Sequence, residues 1–201
     1  MTVVEPSTSV GRPRDPQLDA RVHAAARQVY GRLGWAGFNI ETVAREARVG
    51  KSSIYLRWPD TTALLLDMLA SAVDLPLDID TGNVRGDLLV LARSIFELLT
   101  GENGDTILRL STEARMVSEL KPRWERFVRA HVSAVRKIVG RAVAREELPI
   151  DTAVDLLLDA LMGGLMMRCL ITPPSGRNRL AKNADHYTES LVDLVLKSTL
   201  E

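Results

Sequence analysis

Residues 38–58 read Phe38-Asn39-Ile40-Glu41-Thr42-Val43-Ala44-Arg45-Glu46-Ala47-Arg48-Val49-Gly50-Lys51-Ser52-Ser53-Ile54-Tyr55-Leu56-Arg57-Trp58, and their spacing decides the fold. Asn39 is a helix-capping residue type, and Ile40, Val43, Ala44 and Ala47 recur at the three- and four-residue steps of one helical face. About three residues later Gly50-Lys51-Ser52-Ser53 opens a second short helix, in which Ile54 and Trp58 point the same way. Lys51, Ser53, Tyr55, Leu56 and Arg57 are left on its other faces. Two short helices joined by a tight turn, the second opening on small polar residues and a lysine, meet the requirements of a helix-turn-helix. The first helix braces the second through Ala44, Ala47, Val49 and Ile54, so that the second can turn its opposite face to a DNA major groove. Lys51, Ser52 and Ser53 stand at its N-terminus, where backbone N–H groups and the helix dipole favour phosphate.

Upstream, Asp15 is a natural N-cap with Pro16 at the first helical position, and Leu18, Val22, Ala25, Val29 and Leu33 form one apolar face that stops at Gly34. Residues 1–13 carry Pro6, Ser7, Thr8, Ser9, Gly11 and Pro13, the composition of a disordered arm, with Arg12 and Arg14 at its basic end. Downstream, Pro59 ends the second short helix. Asp60 caps a fourth with Leu64, Leu65, Met68, Leu69 and Ala72 as its stripe, running to a break at Asp74-Leu75-Pro76. Helices are then expected near 84–100, 106–118, 122–145, 152–171 and 184–199, punctuated by Gly101 with Gly104, Pro122, Leu148-Pro149-Ile150-Asp151 and Pro173-Pro174-Ser175-Gly176. The expected division is an arm at 1–13, a DNA-binding unit with its connecting helix at 14–75, and a second helical unit at 76–201.

Composition agrees with this reading. The chain has 201 residues, of which 46% are apolar and only 4% aromatic, with Ala, Leu, Arg and Glu at helical spacing, so it reads as all-α with an ample core. Lys plus Arg (26) cancel Asp plus Glu (26), and any attraction for a polyanion has to be local. Residues 11–58 supply it, with nine basic against four acidic residues. Cys169 alone excludes a disulfide framework and a Cys-rich zinc site, and its apolar surroundings suit a buried thiol in a reducing compartment. His23, His131 and His186 are too few and too scattered for a metal or catalytic set, which excludes an enzyme, and neither a metal nor a cofactor is expected. The first ten residues lack the basic start and apolar run of a signal peptide, and Asp159 and Arg168 interrupt the most apolar stretch, so a cytoplasmic protein without a membrane span is expected. Arg123, Arg126, Arg129, Arg136, Lys137, Arg141 and Arg145 are spread around one helix and read as a solvated face.

The stretch from Phe38 to Trp58 resembles the signature of the TetR family of one-component transcriptional regulators around its recognition helix. The Ala-x-Val turn, the small residue at 53, the Ile54-Tyr55 pair and the aromatic at 58 carry the likeness, which covers residues 14–70 well. Two positions depart from it. Arg48 stands where the family has a turn glycine, and Thr61 where it has a phosphate-binding lysine. The resemblance implies DNA contacts from Arg14, Asn39, Thr42, Arg48, Gly50, Lys51, Ser52, Ser53, Tyr55, Leu56 and Arg57. Lys51 and Arg57 can reach guanine edges or phosphates, Ser52 and Tyr55 suit phosphate oxygens, and Leu56 suits a thymine methyl.

The resemblance also implies a C-terminal domain that binds a small-molecule effector and dimerises. Phe96, Met116, Trp124, Phe127, Met162 and Met166 are candidates for an adaptable apolar pocket, with His131 and Arg168 as polar anchors, although ordinary core packing also explains such residues. Leu156, Leu157, Leu158, Leu161, Leu165 and Leu170 cannot share one helical stripe, so this helix needs cover from two sides. A homodimer interface supplies the second, built from Leu157, Leu161, Leu165, Leu191, Leu194 and Val195, with Gly163 and Gly164 allowing close approach or leaving room for a ligand. The implied function is repression at a palindromic operator in double-stranded DNA, relieved by an apolar or amphipathic effector. The alternative is a helical small-molecule-binding or interaction module that no longer reads DNA.

Overall fold

A computed structural model of the chain describes residues 16–72, 76 and 78–200. The arm at 1–13, Arg14, the Asp15 cap and positions 73–75 of the expected break lie outside the described residues. Among those described there are ten α-helices and no strand: α1 (Pro16–Gly37), α2 (Ile40–Ala47), α3 (Lys51–Tyr55), α4 (Thr61–Ala72), α5 (Val84–Thr100), α6 (Gly104–Glu113), α7 (Lys121–Ala144), α8 (Val154–Ile171), α9 (Arg177–Lys182) and α10 (Ala184–Leu200).

The apolar stripes converge on two clusters. Val22, Ala26, Val29 and Tyr30 of α1 meet Val43 and Ala44 of α2, Ile54 of α3, Trp58, and Leu64, Leu65 and Met68 of α4. Leu110, Ala114 and Leu120, from α6 and the segment after it, join this same cluster. The second cluster is centred on α5, whose Leu88, Leu91, Ala92, Ile95 and Phe96 pack against α7, α8 and α10. Asn83 caps α5 by accepting the Gly86 N–H at 2.8 Å, and Asp60 does the same for α4 at the Ala63 N–H, 2.7 Å away.

Three elements differ from the sequence expectation. Gly34 does not end α1 but kinks it, at φ 67° and ψ −170°, and the helix runs on to Gly37. A Cβ at Gly34 would meet only the ends of the flexible Glu113 and Arg109 side chains, which can shift, so it is the left-handed φ at the kink that favours glycine here. Helix α6 begins and ends earlier than its pattern suggested. The short α9 carries no periodic signal, since Leu180 is its one buried side chain. It is held instead by Arg177, which donates to both carboxylate oxygens of Asp105 on α6, at 2.6 and 2.9 Å.

Arg141 and Arg145 also leave the solvated face expected of α7. They face Asp87, a fully buried carboxylate at 3.8 and 3.5 Å that also accepts the Thr81 N–H and hydroxyl at 2.6 and 2.8 Å. Arg145 further pairs with Glu147 at 2.8 Å, whose other oxygen accepts the Val84 N–H. This network seats the segment leading into α5, a tertiary task that helical spacing cannot reveal.

Candidate nucleic-acid interface

The turn between α2 and α3 is fixed by backbone. Asn39, in the extended region, accepts the Thr42 N–H at 2.8 Å and starts α2. At its end Arg48 takes the left-handed conformation, φ 55° and ψ 46°, and the Val49 N–H closes on the Ala44 carbonyl at 3.0 Å. An arginine there costs about 1 kcal/mol relative to glycine, and the packing of Ala44, Ala47 and Ile54 beneath it supplies the compensation.

Helix α3 is one turn and a half long and strongly two-sided. Ile54 and Trp58 are buried, while Lys51, Ser52, Tyr55 and Leu56 are exposed, Leu56 to 86%. Tyr55 and Leu56 thus stand side by side in water at the end of α3. Trp58 locks the end of α3 in place: its indole N–H donates to Asp67 on α4 at 2.8 Å, and its ring lies 5.4 Å from that of His23 on α1. His23 in turn bridges Asp67 and the Ser71 hydroxyl, both at 3.1 Å. None of these braces was expected from the sequence, because each joins side chains on different elements, and the His23 contacts with Asp67 and Ser71 span more than forty residues.

The sequence candidates separate by environment. Arg57 is half-buried and paired with Asp19 of α1, so its guanidinium points behind α3 rather than out of it. Ser53 is half-buried. Lys51 is exposed and paired with Glu41 at 3.2 Å, and Arg32 with Glu46 at 3.2 Å. Arg45 and Arg48 are exposed and form no ion pair among the described residues.

The DNA-side helices are clasped from the second cluster's side. Arg109 of α6 donates to the Gly31 carbonyl at 3.1 Å and lies 3.5 Å from that of Arg32, filling acceptors that the kink in α1 leaves open. Glu113 accepts the Trp35 N–H at 2.9 Å and pairs with Arg109 at 3.3 Å, and Thr106 donates to the Arg27 carbonyl at 3.1 Å. Tyr30 is fully buried beside Glu113, and burial first, then that carboxylate, holds its phenol neutral far above the usual range.

The residues expected to line an effector pocket form two contacting groups. Phe96 is buried and stacks on Tyr187 at 5.3 Å, Arg168 lies 5.6 Å from the same ring, and Met162 and Met166 pack half-buried against the α5 cluster. Along α7, Trp124 stacks on Phe127 at 5.2 Å and Phe127 meets His131 at 4.1 Å. Trp124 packs against the DNA-side cluster. Met116 is 81% exposed and joins neither group, because α6 has already ended before it. The Cys169 thiol is buried, which pushes its pKa up to about 11 and leaves it unreactive.

The expected dimer residues need correction. Leu157, Leu161, Leu165 and Val195 are core residues of the chain, and Leu191 packs against that core over Gly164. Of the six, Leu194 alone is exposed, at 65%. The exposed row of α8 is a different one: Leu156, Ala160, Gly163, Met167 and Leu170.

Comparison with known proteins gives these features a common setting. Residues 23–68 match the family described as "Bacterial regulatory proteins, tetR family", and residues 78–195 match "Tetracyclin repressor-like, C-terminal domain". The uncharacterized HTH-type transcriptional regulator YdeS of Bacillus subtilis is 26% identical over 165 residues, spanning 81% of this chain and 83% of its own length. Rv1556 of Mycobacterium tuberculosis, described in the same terms, is 28% identical over 172 residues, 82% of this chain and 85% of its own. Among solved structures, MexZ of Pseudomonas aeruginosa, described as a key repressor responsible for antibiotic resistance, shares the fold with a TM-score of 0.67 at 17% identity, over 92% of this chain and 96% of its own. With both halves of the family architecture matched in order and the helix-turn-helix inside the first, the chain belongs to the tetR family of bacterial regulatory proteins and is a DNA-binding transcriptional regulator rather than an enzyme.

Proposed function

We propose that this regulator is a cytoplasmic homodimeric repressor that holds a two-fold-related operator through α3 and leaves it when an apolar or amphipathic small molecule occupies its C-terminal unit. The observation that carries the first half is the sidedness of α3, with Lys51, Ser52, Tyr55 and Leu56 in water over a base of Ile54 and Trp58. Thr42, Arg48 and Gly50 flank this face, and the family resemblance adds Arg14 as a further DNA contact. Arg57 acts from behind, orienting α3 against α1 through Asp19. Lys51 exchanges Glu41 for a phosphate or a guanine edge. Giving up an exposed pair costs about 0.2–1 kcal/mol, less than the roughly 1.5–3 kcal/mol of a good charged hydrogen bond.

Residues 14–75 act as the reading unit and 76–201 as the sensing and dimerising unit. Leu156, Ala160, Gly163, Met167 and Leu170 recur at alternating four- and three-residue steps, the seam of a helix that packs against another. Two antiparallel α8 helices crossing at Gly163, where no atom lies within 4 Å, set Leu156 of each copy against Leu170 of the other. Leu194 of α10 extends the seam. The two α3 helices then stand about 34–36 Å apart, one turn of DNA. Because α6 caps the end of α1, an effector that binds better to a shifted α6 favours a dimer with the wrong spacing, and that difference in affinity is what drives release.

The test is fluorescence anisotropy with DNA from upstream of the protein's own gene and with a scrambled duplex, each at about 50 and 200 mM salt. Tight, salt-weakened binding to the native duplex alone is expected. Equal affinity for both duplexes, or a genome-wide selection that returns no two-fold motif, would refute the proposal.

A further inference from the structure

The C-terminal end of α8, the turn at 172–176, α9 and the start of α10 enclose a cleft of about 810 Å³. Arg168, Arg179 and His186 line it together with Asn183 and Ser190, over an apolar floor of Leu180 and Tyr187. None of its twelve lining residues is acidic. The nearby carboxylates are turned elsewhere: Asp185 and Glu189 pair with Arg93 at 2.9 and 2.8 Å, and Asp105 with Arg177. Arg168, Arg179 and His186 form no ion pair among the described residues. Favourable interaction with a helix C-terminus explains one arginine at the end of α8 and another at the end of α9, but not that both open onto one cleft free of acid. Arg168 is also held in place. Its guanidinium lies over the Tyr187 ring, which is fixed by stacking on buried Phe96 and by a hydrogen bond from its hydroxyl to the Gly164 carbonyl at 3.0 Å.

We propose that this cleft binds an amphipathic organic anion, its carboxylate or phosphate head between Arg168 and Arg179 and its apolar body on Leu180 and Tyr187. The assignment deepens the reading of the C-terminal unit as a sensor by naming the ligand's chemical class. The cleft's wall, α9, is tied to α6 by Arg177 and Asp105, and α6 clasps α1, so the bound anion adjoins the elements that reach the DNA-binding helices.

The probe is 8-anilino-1-naphthalenesulfonate, with N-phenyl-1-naphthylamine, the same ring system without the sulfonate, as its uncharged counterpart, each titrated by fluorescence into the full-length protein. Saturable binding of the anion is expected, at least about tenfold tighter than the neutral probe and weakened about tenfold or more by Arg168→Gln with Arg179→Gln. Displacement by octanoate or by octyl phosphate identifies the preferred head group, and octanol should displace neither probe. Absence of anion binding, equal binding of both probes, or an unchanged affinity in the double variant would overturn the assignment. Arg179→Gln alone, on an exposed side chain, should lose part of the affinity without disturbing the fold, as circular dichroism would verify. Operator binding measured on the same samples separates the two readings: loss of probe binding in a chain that still binds its operator tests the cleft, whereas a chain that takes the probe but no DNA refutes the repressor.

Discussion

Replacing Arg109 by alanine cuts the clasp between α6 and α1, and its cost can be worked from the contacts. The Nε–H to the Gly31 carbonyl at 3.1 Å is a charged hydrogen bond worth about 1.5 kcal/mol net. The contact with the Arg32 carbonyl, at 3.5 Å, stands at the limit of hydrogen bonding and adds at most a few tenths. The pair with Glu113 joins side chains 37% and 21% exposed, so screening reduces it to about 0.3–0.5 kcal/mol. Gly31 is half-buried and Arg32 exposed, so no full desolvation penalty is added for the freed carbonyls. The total is about 2 kcal/mol, which for a chain of this length lowers Tm by about 4–8 °C. Thermal melting followed by circular dichroism measures it, and hydrogen exchange locates it: the amides of residues 31–37 should lose protection while those of α5 keep theirs. Glu113→Gln, which retains an oxygen for the Trp35 N–H, should cost less than half as much. A Tm shift below about 1 °C for Arg109→Ala, or unchanged exchange at 31–37, would show that α1 is held by its apolar contacts alone.

Lys51→Ala should leave Tm unchanged, because its pair with Glu41 is exposed, and weaken operator binding about 5- to 100-fold by anisotropy; a stability loss with full DNA affinity would place the lysine in the fold instead. Met167→Asp puts a charge on the exposed row of α8 and should raise the dimer dissociation constant about tenfold or more by sedimentation velocity, with the protomer still folded. Asp87→Ala strips two arginines and Thr81 of a buried carboxylate and should cost about 3 kcal/mol by urea denaturation, whereas a loss under 1 kcal/mol would mean that water takes its place. Arg177 holds the Asp105 carboxyl below its usual range, so the tie is fully present above the ordinary carboxylate value and is lost as pH falls through the lowered one. The stability gap between wild type and Asp105→Asn, no more than about 1 kcal/mol at neutral pH, should begin to narrow below about pH 4 and close as pH falls through the lowered value; a gap constant with pH would refute the pairing.

The reading unit was legible in the sequence because its signals are local. Asn39 and Asp60 cap the helices expected of them, Ile54 and Trp58 turn inward together, and Lys51, Tyr55 and Leu56 turn outward, all within one or two helical turns. Arg48 stands where the family resemblance puts a turn glycine, and the backbone is left-handed there although the residue is not glycine. Arg57 shows where local signals stop, since its partner Asp19 lies on another helix, and no spacing rule distinguishes an arginine that faces DNA from one that braces the helix behind it.

Helix content, the caps at Asn39 and Asp60 and the sidedness of α3 were determined by the sequence by itself, since caps, breakers and 3.6-residue periodicity act over a few neighbours. Tertiary structure alone decided which leucines of α8 face the core, because a helix apolar on several sides carries no mark of which side the rest of the chain will cover. It put Leu157, Leu161 and Leu165 inside and left Leu156, Met167 and Leu170 outside. It also decided the clasp of Arg109 on α1, the seat of Asp87 and the acid-free cleft beside α9, for each depends on groups far apart in the chain that only packing brings within hydrogen-bonding reach.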